Sequence, residues 1–282
     1  MKADLELDVK CFNLKYTLEC GQCFRWKKID ENTYIGIVKD RVIKIKQDNN
    51  KLYVWSSLKK DLKEVVYEYF DLYTDYEKVE KTISKIDNNI AKSLEYSSGI
   101  HILNQPLFET IISYIISANN NIKRISKSVD DISKMFGKKV EFEGNDYYLF
   151  PTPQELSKAT MDDLLSSGTG FRARYILKDV NEFITDEKFL VNIMKLNTEA
   201  AREKLSKLMG VGPKVADCIL LFSLKKSEVF PVDVWIKRIM EKLYFKENTT
   251  LKEISKYAYE NFGDHAGIVQ QHLFHNVREG NI

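Results

Sequence analysis

Lys214 follows Gly210-Val-Gly-Pro213, and Asp233 follows Pro231-Val232. A helix beginning near Thr198 is expected to stop at Gly210, since glycine tolerates the left-handed turn that ends helices. A second helix, apolar over Val215–Leu224, restarts at Pro213, because proline at a first helical position loses no needed amide. Gly210-Val211-Gly212 is then a hairpin too tight for side chains, and its amides can approach an anion as amides at helix starts do. Lys214 falls in the first turn of the second helix, where the positive end of the dipole disfavours an ammonium. An amine nucleophile needs that bias. Asp233 is placed to cap the next helix, and one carboxylate oxygen can cap while the other faces a cationic centre. Breaking an N-glycosidic bond builds positive charge on the sugar, which a fixed carboxylate stabilises. An amine and a carboxylate are thus enough for attack at an anomeric carbon, departure of a base and formation of a Schiff base. The Schiff base acidifies the neighbouring carbon and permits β-elimination at a 3′ phosphate. Taken singly, the hairpin is an ordinary helix joint and the lysine an ordinary surface charge.

The elements that must carry these residues are legible from periodicity. Phe24–Trp26, Tyr34–Lys39, Arg41–Lys46 and Leu52–Trp55 are rich in β-branched and aromatic residues, with polar turns at Asp30–Asn32 and Asp48–Asn50. They read as a β-meander. From Leu58 the period changes, and Leu62, Val65, Val66, Tyr69 and Phe70 share one helical face. A further helix is expected over Asp75–Ile86, with Asn88–His101 as a passage into a second domain. Beyond it everything reads as helical. Leu107, Phe108, Ile111, Ile112, Ile115 and Ile116 form the broad stripe of a buried helix, and Thr152–Glu155 and Thr250–Glu253 have capping-box spacing. Gly168-Thr-Gly170 breaks the chain before a helix near Arg172, and the last helix spans about His265–Arg278. The expected fold is α+β, a twisted antiparallel sheet domain with flanking helices (residues 1–100) followed by an all-helical domain with a helix–hairpin–helix DNA-binding motif (residues 101–282).

Composition restricts the partners without choosing one. The 282 residues carry 43 basic and 41 acidic side chains, a net charge of +2, so a polyanion surface has to be a local patch. Residues 123–139 hold six basic and two acidic side chains, which also describes a solvated helix face. No signal peptide or long apolar span is seen, so the chain reads as a cytoplasmic protein with reduced thiols, off the membrane. Its richness in Lys, Asn and Ile points to an AT-rich microbial genome, bacterial or archaeal, and hence to a nucleoid-associated location. Cys20-Gly-Gln-Cys23 has the spacing of a redox pair or half a zinc site, but no second pair accompanies it. His272 and His275 have i,i+3 spacing without a carboxylate motif for a metal.

The hairpin, Lys214 and Asp233 together resemble the helix–hairpin–helix DNA glycosylases. No cysteine lies beyond Cys218, which excludes that superfamily's iron–sulfur branch. Gly21-Gln-Cys-Phe-Arg-Trp26, Ser117-Ala-Asn-Asn-Asn121, Gly170-Phe-Arg-Ala-Arg-Tyr175, Gly210–Cys218, Pro231-Val-Asp-Val234 and Ala266-Gly-Ile-Val-Gln270 with Phe274 then narrow the likeness. In that order they resemble the eukaryotic-type 8-oxoguanine DNA glycosylases, over nearly the whole chain. The resemblance implies a bifunctional DNA glycosylase and abasic-site lyase in base excision repair, with Lys214 as nucleophile and Asp233 as its partner. It implies that the Gly21 carbonyl accepts from the N7–H that 8-oxoguanine has and guanine lacks, a contrast that discriminates well when the wrong base leaves a polar group unpaired. It further implies that Gln270 reads the flipped purine's Watson–Crick edge, that Cys218 and Phe274 sandwich the purine, and that Asn119 fills the space the nucleotide leaves. Arg124 and Arg172 are implied to hold the orphaned cytosine, with Phe171 as a wedge, and Gly210 and Gly212 to face a phosphate.

Two positions depart from the family pattern. Phe171 stands where tyrosine is usual, and Trp235 stands where a phosphate-contacting histidine is common, leaving a neutral indole donor. The expected partner is double-stranded DNA containing 8-oxoguanine, bound by a monomer. The chemistry requires no cofactor and no metal, and a monovalent cation on the hairpin carbonyls is compatible with it. Two other readings are open. An alkylpurine glycosylase of the same superfamily shares the sheet and hairpin but typically lacks the lysine. A non-catalytic helix–hairpin–helix DNA-binding protein needs neither Lys214 nor Asp233.

Overall fold

A computed structural model describes residues 2–281 of the chain. The N-terminal part contains strands Leu5–Asp8 (β1), Lys27–Lys28 (β2), Thr33–Val38 (β3), Arg41–Asp48 (β4) and Lys51–Ser56 (β5). All pair antiparallel in the order β1-β5-β4-β3-β2. The meander is therefore as expected at β3–β5, where Ile45 faces Tyr34 on one side and Val54 on the other. Two strands differ. Phe24–Trp26 is not a strand; pairing starts only at Lys27. The edge strand β1 was not anticipated, since four residues of Leu-Glu-Leu-Asp alternate too briefly to stand out. A short helix, Leu14–Glu19 (α1), precedes the Cys20–Trp26 segment and is capped by Asn13, whose side chain accepts from the Tyr16 amide. Leu62–Tyr69 (α2) lays its apolar face on the sheet, so that Val65, Val66, Tyr69 and Phe70 meet Tyr34, Ile43, Ile45, Leu52 and Val54 in one core.

Tyr76–Ile83 (α3) and Asn88–Ser97 (α4) follow. The expected passage at 88–101 is thus mostly helix, started by the Asp87 side chain accepting from the Asn89 and Ile90 amides. Tyr76, Val79, Ile83, Ile90 and Leu94 are buried with the helical body rather than with the sheet. That body is built on Leu107–Ser117 (α5), which is buried nearly all round. Ile122–Phe136 (α6) is amphipathic and capped by Asn121. A hairpin of Lys139–Phe142 (β6) and Asn145–Tyr148 (β7) interrupts the helices. Then come Pro153–Leu156 (α7), Met161–Ser166 (α8), Ala173–Thr185 (α9), Phe189–Ile193 (α10), Thr198–Leu205 (α11), Pro213–Leu224 (α12), Val234–Leu243 (α13), Leu251–Phe262 (α14) and Ala266–Glu279 (α15). Both expected capping boxes form, at Thr152/Glu155 and Thr250/Glu253. α12 packs against α5 and α11, and α15 against α4 and α13. This interior fixes the two helix starts that matter most, those of α12 and α13.

Candidate active site

α11 ends at Leu205, earlier than expected, and turns carry the chain to Gly210. Gly210 has φ +85°, and a Cβ there would lie 2.7 Å from the Tyr175 ring, so both backbone sign and space demand glycine. Gly212 is the extended N-cap residue of α12, and Pro213 opens the helix. Lys214, one residue later, is held with its Nζ 5.4 Å from the centre of the Tyr114 ring. Asp233 caps α13 as expected, its Oδ1 accepting from the Ile236 amide at 2.8 Å. Lys214 and Asp233 line one cleft of about 1290 Å³. Cys218, one turn along α12 from Lys214, is buried close to both. Burial pushes its thiol up to about 11, Lys214 acts in the opposite direction, and the Asp217 and Asp233 carboxylates add to the rise.

The rest of the cleft comes from elements far apart in sequence. Gly21 enters from the segment after α1, Tyr114 from α5, Asn119 from the α5–α6 turn, Trp235 and Arg238 from α13, and Phe274 and Arg278 from α15. Gly21 has φ +88°, and a Cβ on it would come within 3.2 Å of both the Phe274 ring and the Arg278 guanidinium. Arg278 donates to the Glu19 carbonyl at 2.8 Å and lies over Phe274, which clasps the Gly21 loop to the end of α15. Asn119 is exposed and left-handed at φ +52°, a conformation asparagine adopts more readily than most residues. Lys123, Lys214, Lys237, Arg238 and Arg278 line the cleft, against two carboxylates, Asp233 and Glu241. A chain of almost balanced charge thus has a basic cleft, suited to a polyanion. Trp235 is half exposed on the wall, with the Arg238 guanidinium 5.5 Å from its ring.

The cleft brings together Gly21, Asn119, Lys214, Asp233, Trp235 and Phe274. Other expected site residues lie elsewhere. Cys218 and Gln270 are buried and do not line the cleft, and the Gln270 side-chain oxygen Oε1 accepts from Gln271 Nε2 at 2.8 Å. Arg124 is exposed in the first turn of α6, its amide bonded to Asn121. Phe171 is exposed and lies on the Arg172 guanidinium, 4.4 Å from ring centre to carbon. Arg172 is buried and donates inward, from Nε to the Ala118 carbonyl at 3.0 Å, from Nη2 to the Asn119 carbonyl at 3.1 Å and from Nη1 to the Thr169 carbonyl at 3.3 Å. In the free protein it therefore holds the Asn119 turn. Sequence reasoning missed Tyr114, Arg238 and Arg278. Tyr114 looked like one more apolar residue in a buried run, and the two arginines like surface charge.

The cysteines are free thiols; burial pushes Cys20 up to about 11 and Cys23 up as well. His272 is fully buried, with Nδ1 bonded to Ser97 Oγ at 2.8 Å, and burial lowers it to about 3. Among the described residues no group of three or more His, Cys, Asp or Glu side chains is placed to hold a metal ion. Among the described residues no helix is long and apolar enough to cross a membrane.

Comparison with known proteins gives this geometry a context. Residues 4–111 match the family described as 8-oxoguanine DNA glycosylase, N-terminal domain, and residues 112–263 match the HhH-GPD superfamily of base excision DNA repair proteins. The probable N-glycosylase/DNA lyase of Methanothermobacter thermautotrophicus is 34% identical over 79% of this chain and 77% of its own length. The N-glycosylase/DNA lyase of Saccharomyces cerevisiae is 33% identical over 82% of this chain and 68% of its own. Among solved structures, the Clostridium acetobutylicum 8-oxoguanine glycosylase/lyase, in complex with double-stranded DNA containing cytosine opposite 8-oxoguanine, superposes with a TM-score of 0.93. It is 40% identical and the match covers 100% of both chains. A 3-methyladenine DNA glycosylase from Archaeoglobus fulgidus, 22% identical with a TM-score of 0.81 over 97% of this chain and 98% of its own, shares the fold.

Proposed function

Since this chain belongs to the N-glycosylase/DNA lyases of the HhH-GPD superfamily and is an 8-oxoguanine glycosylase/lyase of base excision repair, we propose that Lys214 and Asp233 carry its chemistry. The observation that carries this reading is their meeting at two helix starts on one basic cleft. The Lys214 amine attacks C1′ of the lesion nucleotide as the bond to N9 breaks, and the purine leaves with the bonding pair, taking up a proton. Asp233 keeps one oxygen on the Ile236 amide and turns the other toward the positive charge that develops on the sugar. The nitrogen and C1′ then form a Schiff base with the opened sugar. Loss of a C2′ proton expels the 3′ phosphate and cuts the strand.

The base is read where the chain from the sheet side meets the helices. Gly21 presents its carbonyl to N7–H, Phe274 and Cys218 cover the two faces of the purine, and Gln270 addresses its Watson–Crick edge. Asn119 occupies the vacated stack. Phe171 wedges beside the orphaned base, and Arg124 and Arg172 address a cytosine there. Trp235 and the hairpin at Gly210 and Gly212 contact phosphates, with a monovalent cation on the hairpin carbonyls. The sheet part of residues 1–100, and residues 101–282 together with α3 and α4, serve as the two domains of a monomer that works on nucleoid DNA in the cytoplasm.

Borohydride trapping on a duplex carrying 8-oxoguanine opposite cytosine tests the assignment. The native protein should leave a covalent adduct and a nicked strand. Lys214→Gln should abolish both while retaining DNA binding. A trapped adduct in the glutamine variant would remove Lys214 from the mechanism.

A further inference from the structure

Residue 22 is the most heavily anchored position on the sheet side of the cleft. Gln22 is fully buried. Its Oε1 accepts from the Leu103 amide at 2.9 Å, and its Nε2 donates to the carbonyls of Thr17 at 2.9 Å and His101 at 2.8 Å. Two amide hydrogens meet two carbonyls, so the side chain is saturated. The main-chain carbonyl of Gln22 is held as well, by Gln105 Nε2 at 2.7 Å and by the Tyr114 hydroxyl at 3.1 Å. With side chain and carbonyl both pinned, the backbone angles of Gln22 are fixed, and with them the plane of the preceding peptide, which carries the Gly21 carbonyl.

Tyr114 also touches the other half of the site. Its ring stacks on Phe222 and meets Phe24 edge-on, and Lys214 Nζ lies 5.4 Å from its centre. We propose that Tyr114 is a positioning residue with two separable parts: a hydroxyl that aims the purine-reading carbonyl of Gly21, and a ring that supports the Lys214 amine. This rests on the assignment of Gly21 and Lys214 above. The hydroxyl stays a donor, because burial raises its ionisation well above the usual tyrosine range. Excision needs both the amine and the carbonyl, whereas cleavage at a site that has already lost its base needs only the amine, so loss of the hydroxyl slows excision alone and loss of the ring slows both reactions.

The experiment compares two substrates with each variant under single turnover: a duplex with 8-oxoguanine opposite cytosine, and the same duplex carrying a preformed abasic site. Tyr114→Phe removes the hydroxyl and keeps the ring. Excision should fall about fivefold, the effect of losing one neutral hydrogen bond, with abasic cleavage unchanged within twofold. Adding Gln105→Leu strips the buried Gln22 carbonyl of its second donor and should lower excision roughly tenfold further, again without slowing abasic cleavage. Equal losses on both substrates, or no loss on either, would overturn the proposal. Failure of the underlying functional reading looks different, because the native protein would then leave 8-oxoguanine in place.

Discussion

Replacing Arg172 with alanine separates two readings of one guanidinium. By resemblance Arg172 holds the cytosine opposite the lesion. In the free protein its planar group instead grips the carbonyls of Ala118, Asn119 and Thr169, with Phe171 stacked on it. Hydrogen bonds from a charged donor contribute about 1.5–3 kcal/mol each. Water replaces part of that at exposed Asn119, so Arg172→Ala should cost about 2–4 kcal/mol in all. A chain of this size then melts roughly 3–8 °C lower. Asn119 loses the grip on its carbonyl in the left-handed turn at φ +52°, and the side chain proposed to fill the emptied stack is no longer pre-set. Excision of 8-oxoguanine should therefore slow by a common factor opposite all four bases. Arg172→Lys should fall between, because an ammonium cannot span two carbonyls as a fixed fork does. Calorimetry and single-turnover excision on the four duplexes give the answer. An unchanged melting temperature with a loss confined to cytosine would refute the reasoning and return Arg172 to base reading.

Three further variants address the hairpin. Asp179 is buried in α9 and accepts from the Met209 amide at 2.8 Å, just before Gly210. Burial, with a smaller push from Glu182, raises its carboxyl from 3.8 to about 6, against the pull of the Met209 amide and Lys178. Its native value lies above its unfolded one, so the charge costs stability progressively from about pH 4 to pH 6 and by a constant amount above that, at most about 3 kcal/mol. Asp179→Asn keeps the acceptor and should stabilise the protein by up to about 3 kcal/mol at pH 7.5 and leave it unchanged near pH 4; urea unfolding showing destabilisation at pH 7.5 would contradict this. Gly210→Ala should destabilise by about 2–4 kcal/mol and weaken duplex binding, since it adds a left-handed penalty to a clash with Tyr175. Gly212→Ala, at φ −86° with open space around it, should fold like the native chain, and equal melting temperatures for the two variants would sink the distinction.

What the sequence made legible follows from how local each signal is. Pro213 and Asp233 announce helix starts through their own preferences, and α12 and α13 begin where those residues place them, whereas α11 stops at Leu205, short of Gly210. β1 and α1 span 4 and 6 residues, too short for a period to emerge. Asn88–Ser97 does not read as a helix in the sequence because its one buried face packs on α15, a partner far away in sequence. The same distance hid Tyr114, whose hydroxyl finds its acceptor on residue 22. Arg172 shows the converse failure. A resemblance can nominate the residue, but the direction of its donors depends on a turn that only the folded chain displays.

The division of labour across the cleft explains why a repair enzyme of this kind carries a sheet at all. The proposed nucleophile Lys214 and its carboxylate Asp233 are set by helix starts beside the helical core, and nothing in that chemistry calls for strands. The Gly21 carbonyl proposed to read the base comes instead from the segment between α1 and the sheet. That segment is held to the helices by polar ties from the Gln22 carbonyl to Tyr114 and Gln105 and from Arg25 to Ser133, while Gln22 also binds Leu103 of the sheet core and Arg25 the Tyr148 carbonyl of β7. Arg278 adds an exposed clasp through the Glu19 carbonyl. Buried polar contacts lose much when misaligned, so these ties define one relative placement of reader and nucleophile. On the proposed reading, selectivity for a base told from guanine by its N7–H then depends on the interface between two cores and not on Lys214 or Asp233. Damage to that interface is expected to relax discrimination before it stops strand cleavage, a pattern opposite to that of any change at Lys214.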